Sequence, residues 1–283
     1  RVLFRSRVMK NKIGVMQGRL VPKYQGRYQA HPIGYWQDEF VIAKKIGLDC
    51  IEFILDFNDA EDNPLLKAGG INEINEVINQ TGVGVRTICA DYFMEAPIHS
   101  EDVEVSKQSQ KTMIKLLKNS AEIGVTDVII PCVDQSSLNN QLAVDRFVEQ
   151  LSPVVKIAEK LNINLSLETD LAPQSFVELI DRFNSERVTV NYDIGNSAAL
   201  GYNPIDELDA YGTRITDIHI KDRIKAGKSV LLGEGDVNFD KFFNKLKEFD
   251  YCGPFIMQAY RDESGVEIFN QQLEWVRPYL LRL

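Results

Sequence analysis

The sequence predicts an α/β protein built as a single (β/α)8 TIM barrel, and three observations carry that prediction. Short apolar runs alternate with longer amphipathic ones about eight times, from "KIGVMQG" to "PFIMQAY". The apolar runs are continuous, as in strands covered on both faces, and not alternating as in half-exposed strands. The amphipathic segments are long enough to serve as the crossovers that parallel neighbours require. About eight such units in 283 residues suit a closed barrel better than an open doubly wound sheet. A dinucleotide-binding Rossmann fold is disfavoured, because no strand leads through GxGxxG into a helix; Gly233-Glu234-Gly235 is only a short polar loop.

In chain order, the strand-like runs fall at 12–17, 50–55, 84–90, 127–132, 162–168, 188–193, 215–221 and 254–260. Between them, "QDEFVIAKKIG", "INEINEVINQTG", "SKQSQKTMIKLLKNSAEIG", "AVDRFVEQLSPVVKIAEKL", "PQSFVELIDRF" and "NFDKFFNKLKEF" repeat apolar residues every three to four positions, the helical period. Gly47, Gly82, Gly124 and Asn162 follow such segments, where a left-handed C-terminal cap belongs. The leading "RVLFRSRV" has no periodic pattern and reads as an extraneous leader or misassigned start, leaving 9–283 as one catalytic domain.

With 44% hydrophobic residues, a chain of this length can bury one large core. A formal charge of -9 gives a negative exterior that disfavours phosphate backbones and anionic membranes, so neither nucleic acid nor membrane is an expected partner. No run approaches the roughly 18 apolar residues of a membrane span, and no secretory h-region is present, so the expected location is cytoplasmic. Cys50, Cys89, Cys132 and Cys252 stand singly and read as reduced core residues. A homo-oligomer is compatible with all of this.

In a barrel the C-terminal ends of the strands share one mouth, so polar residues there converge. Those ends carry Gln17 and Arg19, Glu52 and Asp56, Asp91, Asp134, Glu168 and Asp170, Asp193 and Asn196, His219 with Lys221 and Arg223, and Gln258 with Arg261. Glu168, Asp193, His219 and Gln258 each end an apolar strand. Carboxylate and amide oxygens with one imidazole suit a divalent ion such as Mn2+, Mg2+, Co2+ or Zn2+, with coordination positions left for substrate. Each has an ordinary alternative: His219 as a hydrogen-bonded core residue, the two carboxylates as buried ion pairs, Gln258 as a packing amide. His31 and His99, in Pro-adjacent segments, read as surface or lid residues.

"GVMQGRL", "LSLETD", "NYDIGN", "DIHIKDR" with "LLGEGDVNF", and "GPFIMQAYR" together resemble the xylose isomerase-like barrels of the sugar phosphate isomerase/epimerase family, related to ketose 3-epimerases and more remotely to endonuclease IV. The resemblance spans nearly the whole chain from Met9. It implies one divalent ion held by Glu168, Asp193, His219 and Gln258, and isomerisation or epimerisation of a sugar or sugar phosphate through a metal-stabilised cis-enediolate, with Glu168 as general base. Lys221 and Arg223, helped by Arg19 and Arg261, would hold a hydroxyl-rich or phosphorylated end, with Glu52 and Asn196 as further substrate contacts.

The chain departs from that family at the last strand, where the epimerases carry a glutamate that also moves a proton. An amide can coordinate an ion but cannot transfer protons near neutral pH. A one-base isomerase, or an epimerase recruiting another acid such as Glu52, remains open. So do a dehydratase acting on a cyclitol or keto acid, and a non-catalytic carbohydrate-binding barrel. Three histidines are too few for the trinuclear zinc site of endonuclease IV.

Overall fold

A computed structural model describes residues 11–283; the leader expected at 1–8 lies outside the described residues. Eight strands form the barrel: β1 (Ile13–Met16), β2 (Cys50–Ile54), β3 (Gly84–Cys89), β4 (Asp127–Cys132), β5 (Asn164–Thr169), β6 (Val188–Asp193), β7 (Ile215–Ile220) and β8 (Phe255–Met257). Each pairs in parallel with its sequence neighbours, and β8 pairs with β1, Ile13 opposite Phe255 and Val15 opposite Met257, so the ring closes. The expected strands are all present, and those at 127–132 and 188–193 keep their expected limits. The last strand is shorter than expected, because pairing with β7 and β1 stops at Met257.

Every residue of β2, β4 and β6 is buried, as the unbroken apolar runs require. The six expected helices form as α1 (Trp36–Ile46), α2 (Gly70–Thr81), α4 (Val103–Ala121), α5 (Gln141–Leu161), α6 (Pro173–Asp181) and α9 (Phe239–Leu246). Four more occupy segments without an assigned pattern: α3 (Tyr92–Glu95), α7 (Ile194–Leu200), α8 (Pro204–Tyr211) and α10 (Val266–Leu280). Gly47, Gly82 and Asn162 are left-handed caps, and Gly124 has the same backbone sign just past α4. The main apolar core runs between the helical layer and the outer faces of the strands, with Phe40, Phe53, Phe147, Phe242 and Phe255 almost wholly enclosed.

Three sequence expectations need correction. His31 and His99 are buried, at 3% and 7% exposure, because the Pro-adjacent loops fold inward. His31 packs 5.0 Å from the Phe53 ring with Nδ1 on Gln17 Oε1, and His99 packs edge-on to Phe147. Burial lowers their pKa values to about 3 and about 4, so both are neutral structural residues. Cys252 is exposed, whereas the other three cysteines are buried as expected.

The loop after β7 contains a short antiparallel ribbon, with Asp222 and Arg223 pairing with Val230 and Ser229. The buried Asp222 carboxylate accepts backbone N–H groups of Arg223, Gly233, Gly235 and Val237, pinning the "LLGEGDV" segment. Gly235 is required there, since a Cβ would sit 2.2 Å from Asp222 Oδ1.

Candidate metal and substrate site

Side chains two residues apart on a strand share a face. Ser166 and Glu168 on β5, Asn191 and Asp193 on β6, and Asp217 and His219 on β7 are therefore inward-facing pairs, and Ile256 and Gln258 continue the pattern from β8. The second member of each pair lies one layer nearer the C-terminal mouth. The sequence thus places Glu168, Asp193, His219 and Gln258 in one layer. Beneath them the lumen is unusually polar, with Glu52, Thr87, Ser166, Asn191 and Asp217 all buried.

Ligand atoms of Glu168, Asp193 and His219 lie within 4.8 Å of one another. His219 Nδ1 stands 3.9 Å from Asp193 Oδ2. Both of these atoms, and Gln258 Oε1, are buried without a hydrogen-bond partner. Buried polar atoms without a hydrogen-bond partner are costly, and a divalent ion seated on the Glu168, Asp193 and His219 cluster would satisfy those of Asp193 and His219. The residues fit the group: two carboxylates, one imidazole nitrogen and one amide oxygen.

The other face of the imidazole is already committed. His219 Nε2 lies 2.8 Å from Glu52 Oε1 and 3.5 Å from Asp217 Oδ1, and Thr87 donates to Glu52 Oε2 at 2.6 Å. With Nε2 donating to Glu52, loss of the Nδ1 proton frees that lone pair for an ion, the usual carboxylate–histidine–metal arrangement. Glu52, Asp217 and His219 also form a compact acidic group, but its short Nε2 contact is a hydrogen bond and it lies below the open cavity.

Charge crowding sets the protonation of these donors. Burial, reinforced by Asp193, raises Glu168 to about 7 despite His219, Lys221 and Asn196. Burial alone would lower His219, but Glu52, Asp217 and Glu168 outweigh it and raise the imidazole to about 10. Burial, then Glu52, pushes Asp217 well above the ordinary carboxyl range.

A cavity of about 380 Å3 opens at this mouth, with Glu168 and Gln258 in its wall. Of the six expected substrate contacts, Asn196, Lys221 and Arg223 line it. Asn196 Nδ2 donates to Glu168 Oε1 at 2.8 Å, and Arg223 donates to Asn196 Oδ1 at 2.8 Å, so the three side chains orient one another. Lys221 Nζ is 3.6 Å from Asp193 Oδ2.

The structure does not bring Arg19, Glu52 or Arg261 to the cavity wall. Arg19 is turned aside by the Ala259 carbonyl and Gln29, and burial lowers its pKa to about 10. Arg261 lies 4.4 Å over the Tyr28 ring and donates to the Arg19 carbonyl. Gly18, at φ 91, makes this packing possible, since a Cβ there would meet the Tyr28 carbonyl at 2.3 Å. Glu52 is an inward residue of β2 that supports His219.

Several groups at the cavity escaped the site expected from sequence, Asp91, Asp134, Asp170 and Gln29 among them. Asp91, just after β3, was visible as a strand-end acid but had no evident partner. Gln29, in the loop between β1 and α1, gave no signal; only the folded chain brings its amide between Gln258 and Asp91, at 2.9 and 3.2 Å.

Comparison with known proteins agrees with this geometry. The sequence profile of the xylose isomerase-like TIM barrel family matches residues 40–279. The chain belongs to that family. Among curated relatives, the L-ribulose-5-phosphate 3-epimerase UlaE of Escherichia coli O1:K1 is 27% identical over 256 residues, covering 86% of this chain and 89% of its own. Among solved structures, a D-psicose 3-epimerase determined in the presence of D-fructose superposes with a TM-score of 0.75 at 16% identity, over 95% of this chain and 99% of that one. The IOLI protein with a bound zinc atom superposes at 0.73 with 17% identity, over 95% and 98%. At such identities the structural matches establish the shared barrel of this xylose isomerase-like protein and nothing finer.

Proposed function

We propose that this isomerase- or epimerase-type enzyme is divalent-metal-dependent and acts on a ketose or ketose phosphate, with Glu168 as general base. The observation that carries the reading is the set of buried atoms without a hydrogen-bond partner, Asp193 Oδ2, His219 Nδ1 and Gln258 Oε1, beside the cavity bordered by Glu168. The UlaE relative, named for a sugar-phosphate epimerisation, supports the substrate class.

Glu168, Asp193, His219 and Gln258 would hold the ion, which when bound supplies positive charge beside a substrate carbonyl oxygen and acidifies the neighbouring C–H. Glu168 takes that proton. Its Oε1 is held by the Asn196 amide at 2.8 Å, which fixes the carboxylate toward the cavity. Glu52 fixes the His219 ring and its tautomer through the 2.8 Å contact. Lys221, Arg223 and Asn196 offer donors along one wall for substrate hydroxyl or phosphate oxygens.

The test is metal analysis of the purified protein, followed by solvent deuterium incorporation into free and phosphorylated ketoses. The expected result is one divalent ion per chain and exchange at the carbon next to the carbonyl. A protein that retains no divalent ion and exchanges no C–H with any of these sugars overturns the reading.

A further inference from the structure

Gln258 cannot move a proton, so a site with Glu168 alone can reach only one face of a planar intermediate. The cavity wall holds three further carboxylates: Asp91, Asp134 and Asp170. Asp134 is exposed, and Asp170 accepts the Ser137 hydroxyl at 2.8 Å. Asp91 is different, because it belongs to the hydrogen-bond chain that begins at Gln258.

The direction of that chain explains the amide. The Arg19 guanidinium, which has no acceptor, donates to Gln29 Oε1 at 3.2 Å, which fixes the Gln29 amide with its oxygen toward Arg19 and Gln258. Gln258 Nε2 donates to the same oxygen at 2.9 Å, leaving Gln258 Oε1 unpartnered. Gln29 Nε2 then donates to Asp91 Oδ2 at 3.2 Å, and the Cys89 thiol donates to Asp91 Oδ1 at 3.2 Å. A carboxylate at position 258 would set oxygen against oxygen at Gln29. The ionisable group of this network is displaced by one amide, from the end of β8 to the end of β3.

We propose that Asp91 is the second proton-transfer residue of this site, a catalytic residue acting on the substrate face that Glu168 does not reach. The inference rests on the proposed isomerase or epimerase function. Glu168 removes the proton from the carbon next to the carbonyl; the C–H electron pair becomes the new C=C bond and the carbonyl pair moves onto oxygen. The Asp91 carboxyl then gives its proton to the same carbon from the other side, while the oxygen pair returns to re-form C=O. The sugar leaves with inverted configuration, Glu168 is protonated and Asp91 ionised. Exchange of both with water in the open cavity restores the starting state. Burial raises Asp91 above its ordinary value, which favours a proton donor.

The experiment compares wild type with Asp91→Asn in deuterated water, measuring substrate exchange and inverted product separately, with metal content and Tm as controls. The expected result is that Asp91→Asn keeps its ion and its substrate exchange, while inverted product falls about 10²–10⁴-fold. Asp91→Glu, which restores a carboxyl, recovers part of that loss. Should the amide disturb folding, Asp91→Ser gives the same reading without a carboxyl. Inversion by Asp91→Asn within tenfold of wild type overturns the inference, as does parallel loss of exchange and inversion. Wild-type protein that exchanges no ketose overturns the proposed function, and this inference with it.

Discussion

Metal affinity should depend steeply on pH, and the structure sets how steeply. His219, raised to about 10, and Glu168, raised to about 7, both carry protons at pH 6 that an incoming ion must displace. A raised pKa means a more tightly held proton, so competition persists to higher pH. From pH 6 to 7 the competition of the His219 proton falls tenfold and that of the Glu168 proton about fivefold, so affinity should rise about 50-fold. From pH 7 to 8 His219 contributes another tenfold and the half of Glu168 still protonated about twofold, giving about 20-fold. The total is about 1000-fold, or about 4 kcal/mol. Calorimetric titration of metal-stripped protein with Mn2+ at the three pH values, in buffers of different ionisation enthalpy, measures both affinity and protons released. Glu52→Gln is the internal control. Removing the negative charge 2.8 Å from Nε2 lowers the His219 pKa, so the dependence between pH 7 and 8 should flatten while the fold persists. Equal affinity at pH 6 and 8, or binding without proton release, would refute the assignment of His219 and Glu168 as ligands.

Other consequences can be measured independently. Glu168→Gln should lower deuterium exchange into substrate about 10²–10⁴-fold, while the amide oxygen still serves an ion; unchanged exchange excludes Glu168 as the base. Asp222→Ala strands four backbone N–H groups and should cost about 3 kcal/mol or more in urea denaturation, with KM rising as the ribbon carrying Arg223 loosens. Gln258→Glu should retain the ion but destabilise the metal-free protein by about 1–3 kcal/mol, because the new oxygen faces Gln29 Oε1. A metal-free Gln258→Glu variant more stable than wild type would mean the Gln29 amide is oriented the other way.

The barrel and the gathering of Glu168, Asp193 and His219 at its mouth were legible because both follow from local periodicity. Continuous apolar runs read as parallel strands, and the two-residue repeat then assigned the final inward residue of each to one layer. What escaped depends on contacts between distant segments. Arg19 and Arg261 have the right charge at strand ends, yet the Ala259 carbonyl and the Tyr28 ring hold them away from the cavity. Glu52 ends up facing His219 across 167 positions of chain, so its supporting role could not be told from a substrate contact. His31 and His99 looked exposed because proline usually marks surface loops, but aromatic packing draws them inward. The ribbon after β7 pairs only two residues on each side, too short for periodicity to register.

The three-residue β8 also has a temporal meaning. It is the staple that closes the ring between β7 and β1, and its Phe255 lies opposite Ile13, near the other end of the described chain. That pairing spans nearly the whole sequence and carries a large loop-closure cost, so it belongs among the late events of folding. Gln258 donates its backbone N–H to Ile220 one step beyond this staple. A chain released before that segment emerges would carry Glu168, Asp193 and His219 without their amide partner. If the proposed ion site holds, tight retention of an ion would mark molecules that have finished closing, making metal uptake a reporter of maturation as well as chemistry.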